Sequence, residues 1–478
     1  MVGPMGHRVS SKSKVRALIR RMSSMAHFAQ IYRYAQPSSL QQSAGAVLRL
    51  ATSSPGSLAH PHFFEGRLHR PQLAAQLLSA VHLLVGSRFF TPANSVALAV
   101  ALADPVVTAG AGMLRFEGFS ACCSTYIRVD MDPDAYAGVI VGKGTTNIDF
   151  NATMRAALAR VRDADGLALS VGCSEFAMRS GGAQVLEKKV ELPLRWLRSM
   201  VAVQAYQAAM QRVIEVGAVP ALRFLRSLPK ASTSKTPLWV VEGPQGLRTT
   251  AQSDPCGVRF TDSRRLRVLE TLLPSAKTLS VYADRLGQAS AWCVNFGPMR
   301  LTLVLSAEVW RGFSGEGQAL HALVEADDQY AVSAVRAQLH WQDVLRVPAL
   351  ASQLGWPLPA VQRSLQVLGA MGLVGYDLAQ QAYFHRELPF APEVLEDMNP
   401  RLADAHALLQ TGAVRLLRKE PLEAQIHSGG VHYLVREHDG RLRCTCPWFA
   451  KHQGERGPCK HVLAAQAFAR SGHSREMN

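Results

Sequence analysis

The spacing of apolar residues divides the chain into helical and extended stretches. Leu73-Ala74-Ala75-Gln76-Leu77-Leu78, continuing to Leu84, carries apolar positions at helical spacing. Residues 114–119 and 125–130 instead alternate apolar and polar positions, as strands do. Further strands are predicted at 148–150, 167–171 and 185–192, and a helix over 152–162. Pro193 sits at the first turn of a long predicted helix, 194–216, and a second helix runs over 220–228. This order suggests an α+β module with a mainly antiparallel sheet.

Residues 229–237, Pro-Lys-Ala-Ser-Thr-Ser-Lys-Thr-Pro, read as a linker. Beyond it, 238–241, 257–260, 279–282 and 301–305 read as strands of a second sheet. The texture is helical again from about 315. Short helices are predicted at 347–355 and 358–371, with Val361, Leu365 and Leu368 on one face of the second. A hairpin follows over 372–377 and 381–385, and the order helix, turn, helix, hairpin resembles a winged helix. In a DNA-binding version, Gln362, Arg363 and Gln366 on the second helix would reach bases or phosphates; protein docking or a plain scaffold is the other reading.

The formal net charge of +16 favours nucleic acid or another polyanion as partner, although a basic, arginine-rich proteome would give the same total. No Asp or Glu precedes Glu65, while Arg8, Lys12, Lys14, Arg16, Arg20 and Arg21 cluster early. That segment has the make-up of a basic disordered arm or a transit peptide, and Met22 and Met25 offer later starts. A hydrophobic content of 48% describes a globular protein. No apolar run is long enough to span a bilayer. Eight scattered cysteines do not make a secreted disulfide framework, so a cytoplasmic protein with reduced thiols is expected.

The chemistry concentrates near the carboxyl end. Cys444-Thr445-Cys446 is followed by a spacer of twelve residues (447 to 458) and then by Cys459-Lys460-His461. Three thiols and one imidazole fill a tetrahedral zinc shell and leave no position for water, so the site is structural. Tyr433–Arg436 and Arg441–Cys444 read as strands joined by a turn at His438-Asp439-Gly440. Side chains two apart on a strand share a face, so Cys444 and Cys446 can grip one ion. Pro447 should end that strand, and Pro458 suits the start of a helix over 459–468. The rival readings are His452 in place of His461, or buried thiols without metal. With three thiolates the Zn2+ site keeps about one negative charge, and Arg441, Arg443, Lys451 and Lys460 lie close by in sequence to offset it. Those not needed for that purpose could face phosphate.

The residues Cys444, Cys446, Cys459 and His461, with Trp448-Phe449 and the alanine-rich helix after them, resemble the SWIM zinc finger. The phrases 104–107, 114–120, 144–147 and 187–196 extend the resemblance to a bacterial protein family that ends in this finger. The resemblance implies zinc, contact with DNA or protein, and association with MoxR-type ATPases (AAA+ machines) and von Willebrand A-type proteins.

The expected fold class is α+β multidomain. It comprises a basic arm over 1–40, an N-terminal α+β domain over 41–230 and a second small β-rich module over 238–310. A winged-helix-like segment over 315–390 and a C-terminal β-β-α zinc finger over 410–478 complete it. Other chemistry is excluded by pattern. Gly142-Lys143-Gly144-Thr145-Thr146 lacks the phosphate-loop order, Cys122-Cys123 lacks redox spacing, and Asp130, Asp132 and Asp134 read as a solvated turn. No nucleophile elbow, zinc-protease motif or kinase set is present, so a non-catalytic binding protein without a small-molecule substrate is expected.

Overall fold

The computed structural model describes, give or take single positions, residues 62–87, 105–148, 158–172, 190–229, 236–307, 329–388 and 400–471, with short strands between 30 and 53. Helices and strands are mixed throughout and build several sheets. Residues 1–29 of the expected arm and 152–155 of the expected helix lie outside the described residues; the described helical positions end at Leu158, and the chain turns at 159–160 instead of staying helical to 162.

Among the described residues, the largest sheet has nine strands. Across it run Gln211–Gly217, Thr278–Ala283, Ala289–Asn295, Met299–Ser306, Thr125–Met131, Leu114–Phe119, Val106–Ala109, Gly144–Ile148 and Thr52–Ser53. Each neighbouring pair is antiparallel. The expected separation at the 229–237 linker is therefore absent from this sheet: Met299–Ser306, from beyond the linker, ladders directly onto Thr125–Met131. Both strands are buried along their whole length, so the pairing joins two cores into one. A five-stranded sheet, containing His62–Leu68 and Leu167–Gly172, and a three-stranded sheet around Leu238–Gly243 flank it.

Two local expectations change. The helix predicted over 194–216 ends at Ala209, and Gln211–Gly217 is an edge strand of the large sheet. Val213, Ile214 and Val216 are β-branched and favour an extended chain once helix spacing fails. Residues 144–148 are themselves the strand expected to start at 148.

The centre of the large sheet is covered on both faces. Helix Pro71–Val85 lies on one, so close that a Cβ at Gly118 would come within 2.4 Å of Val85 Cγ2. The opposite face is charged. Register sets Arg115 beside Asp130, Glu117 beside Arg128 and Asp130 beside Arg300. The polar halves of the alternating strands thus share one surface, and it is not left to solvent. A hairpin, Val374–Asp377 with Ala382–His385, docks on it through Asp377.

Asp377 accepts from Arg115 Nη1 at 3.0 Å and faces Arg128 Nη2 at 3.3 Å and Arg300 Nη2 at 3.4 Å. Arg115 also binds Asp130 at 2.7 Å and lies 4.0 Å over the Phe384 ring. Arg386, just after the hairpin, pairs with Glu117, which also accepts from the Tyr126 hydroxyl. Asp130 is thus fully buried between arginines, which corrects its reading as part of a solvated turn; Asp134 is exposed. Burial pushes the Asp377 carboxyl up, but Arg128, Arg115 and Arg300 outweigh it and hold the group below the usual carboxylate range.

Helices Gln329–Arg336, Val347–Leu354 and Leu358–Ala370 carry this hairpin on a small core of their own, which includes Val361, Leu365 and Leu368. Among the described residues, no helix is long and apolar enough to cross a membrane.

The carboxyl end forms a separate core. Helix Pro400–Gln410 leads into a four-stranded antiparallel sheet in sequence order, Val414–Arg418, Glu423–Ser428, Val431–His438 and Arg441–Cys444. Helices Pro447–His452 and Lys460–Ser471 follow. Leu402 and Ala405 share this core, so the unit begins at 400 and not at 410. It is also larger than the expected β-β-α finger, by two strands and two helices.

Candidate metal centre

Each ligand is set by the local fold. Cys444 ends the last strand and points into the core beside Val435, its cross-strand partner. Cys446 caps the helix that Pro447 begins, and its sulfur accepts from the Phe449 amide at 3.4 Å. Pro447 therefore starts a helix as well as closing the strand. Cys459 precedes helix Lys460–Ser471, and its sulfur accepts from the Val462 amide at 3.5 Å. His461 sits on the first turn of that helix, its ring stacked on Tyr433 at 4.5 Å between centroids.

The four ligand atoms lie within 4.8 Å of one another, and all four residues are buried. His461 Nδ1 is 3.8 Å from Cys444 Sγ, so Nδ1 is the nitrogen turned toward the thiols. A tetrahedral zinc ion at ordinary bond lengths holds its ligand atoms about 3.5–3.8 Å apart. Three sulfurs and one nitrogen at this spacing fit that ion, and zinc suits the soft donor set best. His452 does not join the group; its ring packs on Trp448 at 4.9 Å.

The thiols perturb one another strongly. A hydrogen bond from Cys444 holds the Cys459 thiol down at about 4, against burial, with help from His461. The same contact with Cys459, and then burial, pushes Cys444 up. Burial is the main cause of the rise at Cys446. Three sulfurs packed this tightly compete for charge, and a divalent cation between them relieves that competition.

Arg401 is a positioning residue that the local sequence did not announce. Its Nη1 donates to the carbonyls of Arg456 and Pro458, both at 2.8 Å, and its guanidinium lies 4.7 Å over the Trp448 ring. It thereby ties the leading helix to the spacer just before Cys459. No motif spacing links a residue to a loop 55 positions away.

Residues 433–465 match the family model described as SWIM zinc finger. This stretch is a SWIM zinc finger. No curated protein matches the chain. Among solved structures, the crystal structure of Proliferating Cellular Nuclear Antigen from Entamoeba histolytica is similar over 51% of this chain and 98% of that chain. Its identity is 11% and its TM-score 0.31, a likeness too slight to carry an argument.

The basic residues near the finger do not surround the metal site. Arg441 and Arg443 are exposed on the sheet face opposite to that of Cys444. The thought that they offset the charge of the thiolates therefore loses its geometry. Lys460 pairs with Asp404 at 3.3 Å, and Lys451 is exposed on the short helix after Cys446. Gln362 and Arg363 are exposed and Gln366 half-buried on helix Leu358–Ala370, in a different module.

Proposed function

We propose that the protein is a non-catalytic, zinc-dependent nucleic-acid-binding protein whose SWIM finger contacts DNA. The observation that carries this reading is the closed, buried Cys3His shell inside a unit with exposed arginines. A full shell builds a surface and activates no water. Arg441 and Arg443, with Lys451 and Lys460, supply the phosphate contacts. Residues 329–388 act as a winged-helix-like module that offers Gln362, Arg363 and Gln366 to the same ligand. The thiol ligands suit a reducing cytoplasm.

The test is DNA binding by the full chain over a salt series. Affinity should fall steeply as salt rises, and Arg441→Glu with Arg443→Glu should weaken it by about tenfold or more. Absence of binding to any DNA or RNA at low salt would refute the reading.

A second reading is a protein adaptor, serving an AAA+ complex of the MoxR type with von Willebrand A-type proteins. The ring of Tyr330, which is 76% exposed, lies 6.1 Å from that of Trp356, an apolar pair that supports it. It requires a protein partner that co-purifies after nuclease treatment and at high salt. Recovery of nothing but nucleic acid would count against it.

A further inference from the structure

The four-stranded sheet of the finger unit has two unlike faces. Val414, Ala424, Ile426, Val435 and Cys444 point to one, where helices 400–410 and 460–471 cover them. Strand alternation and register place a different set on the other. One cross-strand row reads Arg418, Glu423, Arg436, Arg443. The next reads Arg415, Gln425, Leu434, with His427 and His432 opposed beyond it and the Arg441–His438 pair at the far end. All of these are exposed except Glu423, Gln425 and Leu434, which are half-buried.

The face therefore carries five arginines and one carboxylate, Glu423, which Arg436 engages at 2.7 Å. Leu434 lies half-buried between the rows, and an exposed imidazole pair 4.7 Å apart stands at the end away from Arg441. Rows of arginines beside exposed rings are a combination that holds an unpaired strand: phosphates lie on the guanidinium groups and bases stack on the rings. A duplex presents no base faces to such rings. A sheet four strands wide also does not enter the major groove as a two-stranded ribbon does.

We propose that this open sheet face is the binding surface for single-stranded nucleic acid. Arg415, Arg436, Arg441 and Arg443 take the phosphates, and His427 with His432 takes a base. The inference rests on the nucleic-acid reading above and narrows it. It adds Arg415, Arg436 and the two histidines to Arg441 and Arg443, which already lie on the face away from the metal.

The test uses the full-length, zinc-loaded chain, a labelled oligothymidylate of about twenty nucleotides and a duplex of the same length. The single strand should bind more tightly than the duplex. Arg415→Ala with Arg443→Ala should lower its affinity more than about tenfold and reduce the salt slope by about 0.7 per arginine removed. His427→Ala with His432→Ala should weaken binding at least about fivefold and leave the salt slope unchanged, because stacking releases no counterions. Arg285→Ala, at an exposed position in the turn between strands Thr278–Ala283 and Ala289–Asn295, should stay within about twofold of the parent. Retained zinc content shows that each variant is folded. Zinc-loaded face variants that bind like the parent would overturn the assignment while leaving nucleic-acid binding intact. A preference for duplex would overturn the single-strand claim. Failure of the parent to bind either probe would overturn the wider reading as well.

Discussion

The finger unit and the hairpin dock solve one problem in opposite ways. Each must fix a small β element against the rest of the molecule. In the finger, four residues from one stretch of the chain, 444–461, surround one ion. In the dock, Asp377 meets Arg115, Arg128 and Arg300, and its separation from Arg115 is 262 residues. The metal site needs only local order and a cation. The ionic site needs the nine-stranded sheet in register first, because only then do Arg115, Asp130, Arg128 and Arg300 share a face. A clamp made from neighbours folds as a unit, whereas a clamp made from distant charges joins units that are already formed.

Metal removal separates the two most sharply. A strong chelator, or Cys459→Ser, should unfold residues 400–471, because ligand binding on the order of 10 kcal/mol sustains that core. The unfolding should reach helix 400–410, since Leu402 and Ala405 pack there. The hairpin at 374–385 should keep its protection. Hydrogen exchange with and without chelator reads both regions in one experiment, and loss of protection in the hairpin would show that the two clamps are coupled.

The dock is broken from the other side by Asp377→Ala. Three arginine contacts lose their buried anion, and breaking a buried pair by removing one partner costs about 3–5 kcal/mol. Denaturant unfolding should show that loss, with zinc content unchanged. Acid should act on the same group. Its folded-state carboxyl is held below the usual range, so its contribution is complete above the unfolded value of about 4. That contribution is lost as pH falls through the lower folded value. Exchange at the hairpin amides should therefore rise in acid in the parent, and much less in the Ala variant.

The contrast also explains what the sequence could tell. The metal ligands were legible because Cys444, Cys446, Cys459 and His461 follow one another at fixed spacing on predictable elements. The strands 114–119 and 125–131 were legible from their alternation, but its meaning was not. Period two usually marks a half-solvated strand; here the polar half is buried under a hairpin that arrives from residue 374. Ala289–Asn295 went unread although it is central, as did Val414–Arg418 and Glu423–Ser428. The last of these has only Ala424 and Ile426 as apolar residues, and Val414–Arg418 contains a bulge that breaks its alternation.

Arg401 tests whether the finger's clamp is as local as its four ligands suggest. Its guanidinium donates to two carbonyls of the spacer and covers Trp448, so it joins a helix outside residues 433–465 to the loop that delivers Cys459. Hydrogen bonds from a charged donor contribute about 1.5–3 kcal/mol, the smallest of the three effects. Arg401→Met should keep the aliphatic packing and lose both hydrogen bonds of Nη1, lowering the chelator concentration needed to unfold the unit. Arg401→Lys should recover little, because one ammonium cannot hold two carbonyls and a ring in the same planar geometry. If Arg401→Met leaves zinc retention unchanged, residues 433–465 hold the ion by themselves and helix 400–410 only covers the sheet. If retention falls, the working unit of the finger begins at 400, and a fragment cut to the matched residues should bind zinc more weakly than the full chain.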